Sequence, residues 1–265
     1  MKTYSNQRFQ EKIALVTGSS RGIGKAIALQ LAEQGADIII NYVRNQQPAE
    51  ETAAAIREMG RKALVVRANI GKMDNLEKLF HAIENEFGGL DIFISNAASG
   101  FNRPALEQRP EGWDHTLNVN ARAFLFGAQL AVPLMEKRGG GKMVAVSSQG
   151  SVRVMPEYVA VGASKAALEA LVRYLAVELG SKNIAVNAVS PGVVETEAVQ
   201  HFSLLSDPAV IQRAAQQTPA GRIATPQDIA HVVSFLCSQE ASMIRGQVIV
   251  VDGGFSLSVS PIDQS

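Results

Sequence analysis

Seven short apolar runs punctuate the chain: "IALVT" (13–17), "DIIIN" (37–41), "ALVVRA" (63–68), "LDIFIS" (90–95), "KMVAVS" (142–147), "IAVNAV" (184–189) and "QVIVV" (247–251). They are apolar throughout rather than alternating, the pattern of strands buried on both faces, which a parallel sheet requires. Helical periodicity fills the intervals near 22–34, 48–59, 73–87, 113–137, 158–179 and 226–237. This strand–helix alternation predicts one α/β domain, a doubly wound parallel sheet of about seven strands with helices on both faces. The domain is expected over 11–256, with tails at 1–10 and 257–265. The rhythm breaks at 195–220, "ETEAVQHFSLLSDPAVIQRAAQQTPA", a long insertion of weak helical character. Such insertions on the carboxyl edge of a parallel sheet often cover a ligand, so 195–217 is the expected substrate loop.

Composition narrows the function classes. Apolar residues are 46% of the 265, enough for a sizeable core, and 25 basic residues balance 25 acidic ones. That balance argues against nucleic acid as a partner, which would need a basic excess or stripe. No apolar run reaches 18 residues, so no membrane span is expected, and the polar start "MKTYSNQRFQEK" lacks the apolar core of a signal peptide. The single cysteine, Cys237, excludes an internal disulfide framework and suits a reducing cytoplasm. Four scattered histidines, among them His115, His201 and His231, show no metal-ligand spacing, so no metal is expected.

The first candidate chemistry lies where the first strand meets the first helix, in "LVTGSSRGIGKAIALQLA". Gly18, Gly22 and Gly24 form G-x-x-x-G-x-G. Glycine lets backbone approach a pyrophosphate without a Cβ in the way, and a helix amino terminus then offers N–H groups and a positive dipole end. Tight strand–helix turns also favour glycine, but the position after the first buried strand favours a phosphate loop. Folds that bind NAD usually place an acid at the end of the second strand for the ribose hydroxyls. Here that end reads "INYVRN", with Asn41 and Arg44 and no acid, and Arg21 lies in the loop. Two arginines without a carboxylate favour a 2′-phosphate, hence NADPH.

The loop "TGSSRGIG" (17–24) resembles that of the short-chain dehydrogenase/reductase family, a Rossmann fold, and further motifs follow in that family's order. They are "NAA" (96–98), "NVNA" (118–121), "VSSQGS" (146–151), "SPGVVET" (190–196) and "VDGG" (251–254). Carried over position by position, the resemblance implies a catalytic set of Tyr158, Lys165, Asn120 and Ser148. It implies cofactor contacts from Gly18, Ser20, Arg21, Gly22, Ile23 and Gly24 in the loop, and from Arg44, Asn69 and Ile70. Asn96, Ala97 and Ala98, then Lys165, then Pro191, Gly192, Val193 and Thr196 complete the cofactor set. Asn69 stands where the family often has an acid facing the adenine.

One spacing departs from the family's ketone reductases, in which the tyrosine precedes the lysine by four. Here Val161 holds that position, and the nearby tyrosine is Tyr158, seven before Lys165. On a helix, seven residues return to nearly the same face, roughly 20° off, and about 10.5 Å along the axis. Ketone reduction needs its acid beside the carbon that takes the hydride. Reduction of an enoyl thioester puts hydride on Cβ while charge develops on the thioester oxygen, so the donor belongs farther along.

That spacing resembles the enoyl-acyl-carrier-protein reductases on this fold, in particular the NADPH-dependent bacterial type III group. "SNAASG" (95–100), "YVAVGASKAALEAL" (158–171), "YLAVEL" (174–179), "QTPAGR" (217–222) and "MIRGQVIVVDGG" (243–254) carry the likeness. "SPGVVETEA" (190–198) departs from it by keeping the Pro-Gly of the wider family. The resemblance implies an NADPH-dependent enoyl-acyl-carrier-protein reductase of fatty acid biosynthesis. Its substrate would be an acyl thioester on acyl carrier protein or CoA, with 4-pro-S hydride delivered to Cβ. Tyr158 would serve the enolate oxygen and Lys165 the nicotinamide ribose, supplying positive charge. Asn120 would order Lys165 through backbone or water, and Ser148 would lie near the substrate. The apolar "HFSLL" (201–205) would line an acyl chain. It also implies a cytoplasmic homo-oligomer, tetramer or dimer, pairing through 113–137 and 158–179. The alternative is a carbonyl, 3-oxoacyl-thioester or alcohol oxidoreductase of the same family.

Overall fold

In the computed structural model, residues 7–195 and 208–257 are described. Seven strands, β1 (Ile13–Val16), β2 (Asp37–Tyr42), β3 (Ala63–Arg67), β4 (Ile92–Ser95), β5 (Gly141–Val146), β6 (Ile184–Pro191) and β7 (Val248–Val251), form one sheet in the order β3-β2-β1-β4-β5-β6-β7. Every neighbouring pair is parallel. This is the predicted doubly wound architecture. Alternate residues of each strand enter opposite cores: Ala14 and Val16 pack with Ile27, Leu31, Ile56 and Val233 on one face. Ile13 and Leu15 pack with Leu79, Phe93, Phe124 and Leu168 on the other. Two buried faces explain why the strands read as unbroken apolar runs.

The helices are α1 (Gly22–Glu33), α2 (Gln47–Glu58), α3 (Met73–Phe87), α4 (Pro110–Leu117), α5 (Ala123–Glu136), α6 (Val159–Glu178), α7 (Pro208–Gln217) and α8 (Pro226–Cys237). Two of them correct the expected boundaries. The helix expected over 113–137 is two helices joined by a π-helical segment, Asn118–Arg122. Hydrophobic periodicity does not register one extra residue in a turn, and such π segments concentrate at functional sites. The helix expected over 158–179 starts one residue later, because Glu157 takes a left-handed φ of 59° and Tyr158 sits at the N-cap. No helix among the described residues is long and apolar enough to cross a membrane. Within 195–217, α7 is helical, while Thr196 and "HFSLL" lie outside the described residues.

The chain's progression across the sheet reverses between β1 and β4, so the crevice that binds ligands in such sheets opens at their carboxyl ends. Its geometry depends on Gly24. A Cβ there would lie 2.4 Å from the Gly18 carbonyl oxygen and 2.5 Å from Asn96 Nδ2. Gly24→Ala is therefore expected to destabilise the fold by about 1–3 kcal/mol, as overpacking of a close contact does. Thermal or urea denaturation measures it, and an unchanged midpoint would contradict the close approach.

Candidate active site

The turn after β1 is held from three directions. Thr17 Oγ1 accepts from the backbone N–H groups of Asn96 and Ala97, each at 3.0 Å. Asn96 Nδ2 donates to the carbonyls of Thr17 (2.9 Å) and Gly18 (3.2 Å). Asn41, at the end of β2, is fully buried; it accepts from the Gly18 N–H at 3.3 Å and donates to the Ala68 carbonyl at 2.9 Å. Asn41 is therefore a clamp beneath the turn, and the position where other folds carry a ribose-binding acid serves packing here. Gly18 and Gly22 take positive φ, and α1 begins at Gly22 with no side chain capping its first N–H groups. An uncapped helix start behind a side-chain-free turn fits a pyrophosphate. Ser20, Arg21, Ile23 and Gly24 belong to this cradle, and Arg21 is exposed.

Apart from Thr196, outside the described residues, the remaining expected cofactor residues follow the carboxyl ends of the strands. Arg44 is exposed just beyond β2. Asn69, past β3, accepts from the Gly71 N–H at 3.1 Å, while Ile70 turns its side chain into the core. Ala97 is partly exposed and Ala98 exposed beyond β4. At the end of β6, Pro191 pairs with Val251, and the Gly192 N–H donates to the Val251 carbonyl at 3.0 Å. The Val193 carbonyl accepts from the Ala224 N–H. The two motifs "SPGVVET" and "VDGG", far apart in sequence, thus lie against each other.

The catalytic candidates meet where α6 crosses the end of β5. Lys165 is buried and donates to the Val146 carbonyl at 2.7 Å. Burial pushes its ammonium from 10.5 down to about 8, against the opposing charge of Glu169. Ser148 caps a short turn over 149–151, accepting from the Gly150 N–H, and its Oγ lies 3.5 Å from the Tyr158 hydroxyl. The Tyr158 ring lies against Gly150, where a Cβ would come within 2.6 Å of it. Burial raises the Tyr158 phenol above its ordinary value, opposed by the Ser148 contact; Lys165 is not among the groups that set it. The phenol is thus a neutral donor at pH 7. Val161, the residue one turn before Lys165, is buried against Gly100.

Asn120, on the π-helical segment, accepts from the Ser99 N–H (2.8 Å) and donates to the Ser99 carbonyl (2.9 Å) and to Ser164 Oγ (2.9 Å). Its side chain reaches α6 at the neighbour of Lys165 rather than at Lys165 itself.

Comparison with known proteins identifies the family and the fold. A family model described as enoyl-(acyl carrier protein) reductase matches residues 18–256. The 1-cyclohexenylcarbonyl-CoA reductase of Streptomyces collinus is 38% identical over 95% of this chain and 89% of its own. The chain belongs to the short-chain dehydrogenase/reductase family. A hydroxynaphthalene reductase-like protein, Arp2, of Metarhizium anisopliae is also 38% identical, over 92% of this chain and 94% of its own. The crystal structure of the angucycline C-6 ketoreductase LanV with bound NADP superposes with a TM-score of 0.86 at 35% identity, covering 95% of this chain and 98% of that one.

This member of the short-chain dehydrogenase/reductase family is an oxidoreductase with the fold and site edge of nicotinamide-dependent relatives. As a group, the relatives are reductases of varied substrates, and they weigh more toward the carbonyl-reductase alternative than toward a fatty-acid enoyl reductase. Two residues of this site escape motif reading. Asn41 falls at the end of the second strand in the sequence, but its part as a clamp shows only once β2 and β3 pair beside it. Glu169 looks like a surface residue of "KAALEAL", yet it is only 7% exposed. Its position one turn after Lys165, on the same face, was the available signal.

The Lys165 ammonium has a testable consequence. Its folded value lies below the unfolded 10.5, so the buried charge opposes folding below about pH 8. That penalty is relieved as pH rises from about 8 to 10.5, a window in which only the unfolded chain keeps the proton. The cation is also lost from the free protein through the same pH. Nucleotide affinity, measured by NADPH fluorescence, is expected to fall as pH rises through about 8, and Lys165→Met should flatten the profile. A flat wild-type profile would contradict a buried titrating lysine at the nucleotide.

Proposed function

We propose that the chain is an NADPH-dependent reductase of the C=C bond of an α,β-unsaturated acyl thioester. The observation that carries this is the tyrosine: apolar Val161 fills the position one turn before Lys165, while Tyr158, seven residues before Lys165 and just outside α6, is a neutral donor beside Ser148. Bound NADPH would supply the hydride. As hydride adds to Cβ, the π electrons move to the thioester oxygen, and the resulting enolate takes a proton from solvent water at Cα, leaving hydroxide. Tyr158 and Ser148 donate to that oxygen where charge develops, so position matters more than acidity. Lys165 holds the nicotinamide ribose, and Asn120 fixes the approach of Ser99 and Ser164 around it.

The name 1-cyclohexenylcarbonyl-CoA describes an acyl thioester with its double bond conjugated to the carbonyl, which supports this reading and favours CoA as the carrier, with acyl carrier protein as the other candidate. A place in fatty acid biosynthesis belongs to the same proposal and rests on the family model's description. So do a cytoplasmic setting and a homotetramer or dimer, the latter supported by Tyr174 and Val177 exposed on α6.

A second reading, carbonyl reduction, is favoured by the 3.5 Å contact of Ser148 Oγ with the Tyr158 hydroxyl, since one ketone oxygen could take both donors. The hydroxynaphthalene reductase-like and ketoreductase relatives support it. NADPH oxidation with crotonyl-CoA and acetoacetyl-CoA side by side separates the two; turnover of the keto thioester alone would sink the enoyl reading. Tyr158→Phe is expected to lower kcat at least about tenfold, roughly 1.4 kcal/mol of barrier.

NADPH rather than NADH is proposed from Arg21 and Arg44 and supported by the NADP bound to LanV. A 2′-phosphate contact to arginine is a charge-assisted bond. Arg44→Ala is accordingly expected to raise the Kd for NADPH about tenfold, roughly 1.4 kcal/mol, with little change for NADH. Equal effects on both nucleotides would contradict it.

A further inference from the structure

α6 grips the end of β5 with two charged side chains one turn apart. Lys165 takes the Val146 carbonyl. Glu169 takes the next residue and the far side of the turn: its Oε1 accepts from Ser147 Oγ at 2.5 Å and from Ser151 Oγ at 2.6 Å. Between these two anchors lies Ser148, whose hydroxyl meets Tyr158. We propose that Glu169 is a positioning residue of the active site. By holding Ser147 and Ser151 on either side of Ser148 it fixes the Ser148 hydroxyl, and it places an opposite charge one helical turn from Lys165. The inference rests on the roles assigned above to Ser148 and Lys165.

A buried carboxylate is costly unless paired and hydrogen-bonded, and packing alone would favour an apolar side chain at 169. Two serine donors and a lysine one turn back supply what it needs. The surroundings offer no substitute. Toward Lys165 and Glu169, the end of β5 and the following turn present the Val146 carbonyl and the Ser147 and Ser151 hydroxyls, and the π-helical segment presents Asn120 to the neighbouring Ser164. The charged groups on the elements packed against α6 are exposed: Glu111, Asp114 and His115 of α4, Arg122, Arg153 and Lys182. Glu169 is the charge that acts on Lys165.

Three variants separate its two effects. Glu169→Gln keeps an oxygen that accepts both serine hydroxyls and removes the charge. Ser151→Ala removes the hydroxyl that reaches both Glu169 and the Ser148 carbonyl, and keeps the charge. Glu169→Ala removes both. The Lys165 titration is read in the nucleotide-free protein by NMR of 13C-labelled lysine, assigned with Lys165→Arg, and needs no substrate. Its midpoint is expected to fall by about one unit in Glu169→Gln, as loss of a nearby opposite charge implies, and to stay in place in Ser151→Ala. With crotonyl-CoA, Ser151→Ala is expected to lower kcat about fivefold with little change in KM, a loss of roughly 1 kcal/mol. An unmoved Lys165 midpoint in Glu169→Gln, in a protein that still melts cooperatively, overturns the electrostatic role. Wild-type kcat in both Ser151→Ala and Glu169→Ala overturns the anchoring role. If the wild-type protein reduces neither thioester, the functional reading fails instead, and the NMR midpoint still decides the electrostatic role of Glu169.

Discussion

Thr17 and Asn96 close the gap between β1 and β4, the neighbouring strands at which the chain reverses its progress across the sheet. A crevice is unavoidable there, because the crossover helices leave on opposite sides and no element covers the strand ends between them. Two side chains bridge it at the backbone and hold the glycine turn in place, while no side chain caps the start of α1 behind it. Asn41 fixes the same turn from β2 and ties it to the residue after β3. The glycine turn at the proposed cofactor side is therefore held by amides that satisfy buried backbone.

The substrate side is organised differently. There α6 lies across the end of β5, and its buried polar residues do the positioning. Lys165 and Glu169 stand on one face and both hold the segment 146–151. Tyr158 stays just outside the helix, its ring against Gly150. Burial raises the phenol against the opposing effect of the Ser148 contact, so it stays protonated. A neutral donor held in place suits an oxygen whose charge appears only as the hydride is transferred. The same two hydroxyls could meet a ketone oxygen, which is why relatives with carbonyl substrates share so much of this architecture.

Much of the fold was legible because burial on both faces leaves a simple trace. Each apolar run corresponds to a strand, and the "GSSRGIG" turn falls at the switch point. The π-helical segment at Asn118–Arg122 was not legible, since one extra residue in a turn barely alters hydrophobic periodicity. The start of α6 was legible to within one residue, although the left-handed Glu157 that sets it carries no glycine or asparagine signal. Asn41 and Glu169 escaped for a common reason: their hydrogen-bond partners belong to other strands and turns.

The chain's own pattern determined the order of strands and helices, the phosphate-binding turn and the seven-residue step from Tyr158 to Lys165, all properties of residues near one another in sequence. Only the tertiary structure decided that the Tyr158 hydroxyl meets Ser148, that Lys165 is buried and moved to about 8, and that Glu169 lies beneath both. Those outcomes depend on how α6 is set down on β5, and on the water excluded between them. Local periodicity records which face of a helix is apolar, but not which strand end that face will meet.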